Sequence, residues 1–367
     1  MRLLIAAGGT GGHIYPAIAV AKEVMRRDPK SVVRFVGTTR GLENRLVPQA
    51  GFELSIIESA GLVNMGLWQR LRGLLVLPKS FLEAHRLIKS FAPDVVVGAG
   101  GYVSGPVVLT AALMRYPTVV MELNAVPGFT NRRLARFVDA ASVSFEATLP
   151  YFHGQGVVTG NPVRGEFFDI KPKQRDPRLF SLLIFGGSQG SRAINNAMIA
   201  ALPYLEPYRQ RLRVTHQTGK SDFEKVRSAY EAASWKEQAE VREYIDEMMT
   251  ACAENDLIVS RAGATTSAEL MAAGKPSVMV PLPGQLEQRR NAEALRDTGA
   301  ARMILQEELT GERLANEIVS LIDAPEEITR MEAAARKLAR PHAAETAVDL
   351  IEAVSGGGTP RAEKREQ

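Results

Sequence analysis

Short apolar runs alternate with stretches of helix-like spacing along nearly the whole chain. In the first half the runs are Leu3 to Ala7, Val32 to Val36, Asp94 to Val97, Thr118 to Met121, Ala141 to Phe145 and Val157 to Val158. Continuous apolar runs of this length read as strands buried on both faces, and the stretches between them, such as Ile14 to Met25, carry apolar residues at helical intervals. That alternation is the sequence form of an open parallel sheet covered by helices. The pattern then restarts at Ser181 to Phe185 and continues through Arg213 to His216, Val241 to Ile245, Leu257 to Ser260, Ser277 to Val280 and Arg302 to Leu305. Two similar α/β halves are the simplest account. The strand pattern lapses at Thr159-Gly160-Asn161-Pro162-Val163-Arg164, which marks the linker, so residues 1–161 and 162–340 are the expected domains. Ile170 to Pro177 reads as an exposed loop. Helical stretches at Arg330 to Leu338 and Ala343 to Val354 close the ordered chain, and a helix at about 341–355 is expected to pack back on the first domain. Residues 356–367 have the composition of a disordered tail.

Three of the strands empty into glycine-rich turns: Gly8-Gly9-Thr10-Gly11-Gly12-His13, Gly98-Ala99-Gly100-Gly101-Tyr102-Val103-Ser104-Gly105-Pro106 and Gly186-Gly187-Ser188-Gln189-Gly190. Residues without side chains let backbone N–H groups approach a ligand, and a following helix N-terminus favours an anion such as a phosphate. The plain alternative for each turn is a tight strand-to-helix connection. In an open α/β sheet all three turns fall beyond the carboxyl ends of the strands, where ligands bind.

Composition narrows the class without naming it. A chain of 367 residues is longer than one core usually reaches, in keeping with two domains. The single cysteine, Cys252, rules out a disulfide framework and fits a reducing compartment. No apolar run approaches the length of a membrane span, and Met1 is not followed by the basic and apolar regions of a signal peptide. A formal charge of +4 suits an anionic surface or a phosphate-bearing ligand.

Two common nucleotide motifs fail. In the first turn Ile14 stands where a dinucleotide fingerprint needs its third glycine, and the second strand ends Gly37-Thr38-Thr39-Arg40 without the ribose-binding acid. Gly219-Lys220-Ser221 has the ending of a Walker A loop, but Val214 occupies the place of its first glycine. No Asp-x-Asp triplet offers a metal site for a diphosphate; the nearest segment, Glu254-Asn255-Asp256, precedes a strand. Neutralisation of phosphate charge therefore falls to N–H groups, helix dipoles and basic side chains.

The three glycine turns, together with Glu122-Leu123-Asn124-Ala125-Val126-Pro127-Gly128, Gly160-Asn161-Pro162-Val163-Arg164 and Ser260-Arg261-Ala262-Gly263-Ala264-Thr265-Thr266, resemble in order the signature segments of the MurG family of bacterial glycosyltransferases, glycosyltransferase family 28. The resemblance runs from about residue 3 to 350. Leu123 departs from the glutamine common in the family, and the loop Leu282 to Glu287 is shorter than in many members. The resemblance implies a GT-B architecture, two Rossmann-like doubly wound parallel-sheet domains facing a central cleft. It implies metal-independent inverting transfer of N-acetylglucosamine from UDP-N-acetylglucosamine to the 4-hydroxyl of undecaprenyl-pyrophosphoryl-N-acetylmuramyl-pentapeptide (lipid I), giving lipid II for peptidoglycan. No cofactor and no nucleic acid are expected. The implied setting is the cytoplasmic face of the inner membrane, with an anionic membrane surface and other cell-wall synthesis and division proteins as partners. Two rivals share the architecture, a UDP-N-acetylglucosamine 2-epimerase and a non-catalytic nucleotide-sugar binding protein.

By the same resemblance, donor contacts fall on Thr10, Gly11, Gly12, Asn124, Arg164, Ser188, Ile245, Ala264, Thr265, Thr266, Ser267, Ala268, Glu269 and Gln288, and acceptor contacts on Gly9, Gly100, Gly101, Tyr102 and Ser104. His13 is the candidate general base, since histidine titrates near working pH; a binding role alone is the alternative. Thr266-x-x-Glu269 also reads as a capping box opening a helix to Ala273. His216 reads as a packed or surface histidine. Between Leu62 and Phe81 the apolar residues Leu67, Trp68, Leu71, Leu74, Leu75 and Phe81 alternate with Arg70, Arg72 and Lys79. Such a stretch is either an interfacial membrane patch or an ordinary amphipathic core helix.

Overall fold

The computed structural model describes residues 1–39, 41–59 and 67–358, with the backbone alone described for 67–76. The side chains of Leu67, Trp68, Leu71, Leu74 and Leu75, and the tail beyond residue 358, lie outside the described residues. The chain divides into two compact units, Met1–Val163 with His342–Gln367, and Arg164–Pro341.

The first unit runs β1 (Arg2–Ala7), α1 (Gly11–Arg27), β2 (Val32–Gly37), α2 (Glu43–Gln49), β3 (Glu53–Ile56), α3 (Leu67–Phe91), β4 (Val95–Gly100), α4 (Ser104–Leu113), β5 (Thr118–Glu122), α5 (Phe129–Leu134), β6 (Ala140–Val143) and β7 (Gly156–Val158). Its sheet has the order β3-β2-β1-β4-β5-β6-β7, parallel throughout. Leu3 to Ala7 and Val95 to Val97 are wholly buried because helices cover both faces, which is why these strands are apolar without alternation. Leu4, Val36, Ile88, Val96, Val107 and Val120 form part of the core between sheet and helices.

The second unit runs β8 (Phe180–Phe185), α6 (Arg192–Leu205), β9 (Leu212–Gln217), α7 (Phe223–Ala232), β10 (Ala239–Arg242), α8 (Met248–Glu254), β11 (Leu257–Ser260), α9 (Ala264–Ala273), β12 (Ser277–Met279), α10 (Leu286–Asp297), β13 (Ala301–Met303), α11 (Gly311–Ile322) and α12 (Pro325–Leu338). Its parallel sheet has the order β10-β9-β8-β11-β12-β13. Leu182, Ile184, Met198, Val214, Val259 and Ile318 anchor its core. A last helix, α13 (Ala343–Ser355), returns to the first unit and packs on α1 and on β4, β5 and β6. Arg27 at the end of α1 holds it: Nη1 donates to Asp349 at 2.7 Å and Glu352 at 2.9 Å, and Nη2 to the Glu345 carbonyl at 2.8 Å.

Several local expectations need correction. The edge strand Glu53–Ile56 has no counterpart in the apolar pattern, because none of its four residues is buried. Helix α1 starts at Gly11, not Ile14, so the last two glycines of the turn form its first residues. The expected strand Val241 to Ile245 ends at Arg242 and leaves Ile245 in the following loop. Helix α9 starts at Ala264 with Gly263 as N-cap and no side-chain cap, so Thr266 and Glu269 lie inside it and form no capping box. The segment Ile170 to Pro177 is the expected loop, mostly exposed and without regular structure, and two of its cations are tied down. Lys173 Nζ lies 2.9 Å from the buried carboxylate of Asp256, and Arg175 pairs with Asp256 at 3.5 Å and with Glu332. Asp256 needs these cations because it is buried away from water, and the Ser181 N–H and hydroxyl at the start of β8 donate to it as well.

Candidate functional site

In each sheet the chain reverses its direction of strand addition once. β1 lies between β2 and β4, and β8 lies between β9 and β11. At such a switch point the connecting helices leave on opposite faces, opening a crevice at the carboxyl ends of the two central strands. In the first unit the turns flanking it are Gly8 to Gly12 and Gly100 to Ser104. In the second they are Gly186 to Gly190 and Arg261 to Ala264.

The first-unit turns interlock. Ser104 is buried; its hydroxyl oxygen lies 2.8 Å from both the Ala6 and Gly100 carbonyl oxygens, which share its one hydrogen, and accepts the Gly100 N–H at 3.0 Å. It latches β1 to β4. Gly100, at φ +110°, crosses directly over His13: a methyl there would sit 2.3 Å from Nδ1. The Nδ1 edge of His13 is enclosed without a well-formed hydrogen bond. Burial lowers the imidazole pKa below its ordinary value, with the Ala99 carbonyl opposing in part, so the ring is neutral at pH 7. Thr10, at the N-cap of α1, is exposed and makes no capping bond, and Tyr102 is half exposed. Gly9 is also exposed, and its N–H donates inward to Glu43 Oε2 at 3.0 Å.

The loop after β5 is organised by Glu122, which is 3% exposed. Its carboxylate accepts from the Asn124 N–H and Nδ2, the Gly128 N–H and Asn131 Nδ2, all at 2.9 to 3.0 Å. Burial raises its pKa, against those hydrogen bonds. The Asn124 amide is thus fixed by its own loop, with Nδ2 directed to Glu122.

In the second unit Ser188 is exposed at the crest of its turn, and Ser191 caps α6 by accepting the Ile194 N–H at 3.5 Å. Gln217, at the end of β9, escaped the motif reading. Its Nε2 donates to the Gly187 carbonyl and its Oε1 accepts the Ile245 N–H, both at 2.9 Å, joining the glycine turn to the loop after β10. Gly190 (φ +75°) and Gly219 (φ +75°) pack back to back: methyls there would lie 1.9 Å from the Thr218 carbonyl oxygen and 2.2 Å from that of Gln189. The Gly-Lys-Ser segment that imitates a Walker A ending is the brace of this turn.

A buried relay supports the brace. Asn195 Nδ2 donates to the Thr218 carbonyl at 2.9 Å and Asp222 at 3.0 Å, so its Oδ1 must accept. His216 Nε2, 3.1 Å from that oxygen, is therefore the donor, and Nδ1 accepts from the Tyr230 hydroxyl at 3.2 Å. Burial pushes the His216 pKa down to about 3, which keeps it neutral. The packed reading of this histidine holds.

Arg164 lies over the Phe167 ring at 4.9 Å and its Nη2 stands 3.6 Å from Glu269 Oε1. Of the expected α9 contacts, Ala264, Thr265, Thr266 and Glu269 are partly exposed, whereas Ser267 and Ala268 face the interior. Gln288 is partly exposed and its Oε1 accepts the Leu282 N–H at 3.0 Å. Arg261 ties the end of β12 in place through the Val280 and Pro281 carbonyls at 3.1 and 3.2 Å.

Burial pushes the Glu269 carboxyl up to about 7, with Arg164 opposing. From its ordinary 4.5 to about 7 the native state holds a proton that the unfolded chain has released, so stability falls as pH rises through that window. Glu269→Gln is expected to flatten this slope, giving a Tm that exceeds wild type increasingly from pH 5 to 8. Parallel melting curves for the two proteins across that range contradict the assignment.

Among the described residues no group of histidine, cysteine and carboxylate side chains could hold a metal ion. No described helix is long and apolar enough to cross a membrane.

Residues 3–143 match the glycosyltransferase family 28 N-terminal domain and residues 181–350 the glycosyltransferase family 28 C-terminal domain. A protein from Anaeromyxobacter sp. (strain K), named UDP-N-acetylglucosamine--N-acetylmuramyl-(pentapeptide) pyrophosphoryl-undecaprenol N-acetylglucosamine transferase, is 48% identical over 95% of this chain and 92% of its own. The crystal structure of Acinetobacter baumannii MurG superposes with a TM-score of 0.80 at 33% identity, covering 96% of this chain and 99% of that one. A UDP-GlcNAc 2-epimerase from Neisseria meningitidis superposes with a TM-score of 0.70 over 96% of this chain and 100% of that one, but at 15% identity shares the fold alone.

Proposed function

The chain belongs to glycosyltransferase family 28, in its MurG branch, and from that premise we propose that it transfers N-acetylglucosamine from UDP-N-acetylglucosamine to the 4-hydroxyl of lipid I, forming lipid II and UDP. The observation that carries the reading is the presence, in one chain, of two switch-point crevices each rimmed by glycine turns. A reaction between two diphosphate-bearing substrates calls for two anion sites.

On this reading the donor diphosphate sits at the Ser188 to Gly190 turn and the α6 N-terminus. As the bond from the anomeric carbon to the UDP oxygen breaks, negative charge grows on the leaving diphosphate. N–H groups fixed beforehand by Gln217 and the Gly190–Gly219 brace, with the Arg164 guanidinium, stabilise it at little reorganisation cost. The acceptor belongs to the first-unit crevice. His13, already neutral, takes the proton of the 4-hydroxyl as its oxygen forms the new bond, and direct displacement inverts the anomeric centre to a β-1,4 link. Glu269 and Gln288 serve the donor's hydroxyl groups, and Asn124, held by Glu122, the donor sugar.

One assay tests the reading against both rivals. Radiolabelled UDP-N-acetylglucosamine is incubated with and without a short-chain lipid I. Label in the lipid fraction supports transfer; UDP-N-acetylmannosamine means an epimerase; neither product means binding only.

The natural acceptor is anchored in a bilayer, which argues for a peripheral protein at the cytoplasmic face of the inner membrane, alongside other cell-wall synthesis and division proteins. The proposed contact is the Leu67 to Phe81 stretch with its arginines and Lys79. Replacing Trp68 and Leu75 with polar residues is expected to abolish most sedimentation with anionic vesicles. Wild-type sedimentation by a folded variant removes this patch as the anchor.

A further inference from the structure

Glu43 carries a charge that the proposed reaction does not use. It is the first residue of α2, and its side chain is wholly buried against the first glycine turn. Oε1 accepts the N–H and the hydroxyl of Thr38, each at 2.9 Å, and Oε2 accepts the Gly9 N–H at 3.0 Å. The Gly9 carbonyl in turn accepts the Leu42 N–H at 3.2 Å. Both edges of the Gly9 residue are therefore held by the start of one helix.

Space has been cleared for this carboxylate. A methyl on Gly41 would lie 1.7 Å from Oε2, one on Gly37 2.5 Å from Cγ and one on Gly8 3.1 Å from Oε1. Gly41 and Gly37 have no positive φ to explain them; the space at Gly41 is taken by Glu43, and that at Gly37 by Glu43 with Leu54 Cδ1 at 3.1 Å. Gly8, the first residue of the glycine turn, belongs to the same enclosure.

We propose that Glu43 is a positioning residue of the acceptor half-site: its carboxylate fills the inner hollow of the first glycine turn, fixes Gly9, and confines the acceptor diphosphate to the outer face at Thr10 and beyond. A fixed carboxylate repels a phosphate from the inner side while three neutral donors hold it in place. The inference rests on the acceptor reading of the first unit given above.

Glu43→Gln keeps the shape but turns an N–H group toward a donor. Gly41→Ala keeps the carboxylate and displaces it, at a backbone conformation alanine tolerates. Both variants are expected to lower kcat/KM for short-chain lipid I by ~10-fold or more and to leave the UDP dissociation constant within about twofold of wild type. Hydrogen exchange at the Gly9 amide should quicken by ~10-fold or more in each. Unchanged acceptor kinetics, unchanged Gly9 exchange, or an equal loss of UDP binding in a folded variant overturns the proposal. If Glu43→Gln does not fold, Gly41→Ala decides. A wild-type protein that makes no lipid product refutes the transferase reading instead, and Gly9 exchange then decides the role of Glu43 alone.

Discussion

His13→Ala is expected to lower kcat by ~100-fold or more while leaving UDP affinity nearly intact. The split follows from the division of the chain: His13 belongs to the first unit, and the proposed diphosphate turn to the second. The imidazole is set up for this work. It occupies the first turn of α1, where the helix N-terminus disfavours positive charge, and burial beneath Gly100 disfavours it further. A base whose pKa is lowered in this way stays neutral, and so competent, at pH values where an ordinary histidine begins to take up a proton. Wild-type kcat/KM should therefore be level through neutral pH and decline on the acid side, with the decline vanishing in the alanine variant. Steady-state kinetics from pH 5 to 9 measure this, and an unchanged kcat removes His13 from the chemistry.

Gly190→Ala is the second large effect, and its sign pattern is the opposite. The residue sits at φ +75°, where an L side chain costs roughly 1–3 kcal/mol, and the added methyl meets the Thr218 carbonyl oxygen at 1.9 Å. That carbonyl is also the acceptor of the Asn195 amide, so moving it breaks the first link of the relay to His216 and Tyr230. A lowered Tm and a UDP dissociation constant raised by ~10-fold or more are expected, with lipid acceptor binding preserved. Calorimetric titration with UDP measures it. Wild-type UDP affinity in a folded variant shows that the turn does not hold the diphosphate.

The strands and glycine turns were legible because their causes are local. Leu3 to Ala7 must be apolar to lie inside two helix layers, and the turn that follows must spare its side chains whatever it later binds. Glu53 to Ile56 was missed because a four-residue edge strand with no buried residue carries no continuous apolar run. The capping box at Thr266 failed for a related reason: the spacing is a good local motif, but β11 stops at Ser260 and the chain bends early enough for Gly263 to cap the helix. Glu43 and Gln217 were illegible in another sense. Each acts on a peptide about 30 residues away or more, Glu43 on Gly9 and Gln217 on Gly187, and neither meeting exists until the strands have paired. Gly9 shows the consequence: the folded chain gives its N–H a partner that no local motif announces.

The return of α13 to the first unit bears on how the chain comes off the ribosome. Arg164–Pro341 is one uninterrupted stretch and holds everything its own sheet requires. The first unit, although its sheet is synthesised earliest, lacks the helix that covers α1 and part of β4 to β6 until residues 343–355 emerge. During translation Arg27 has none of its Asp349, Glu352 and Glu345 partners, and an apolar face stays uncovered while the second unit is made. The order of completion is thus the reverse of the order of synthesis, and a truncation before Ala343 injures the domain that is farther away in sequence.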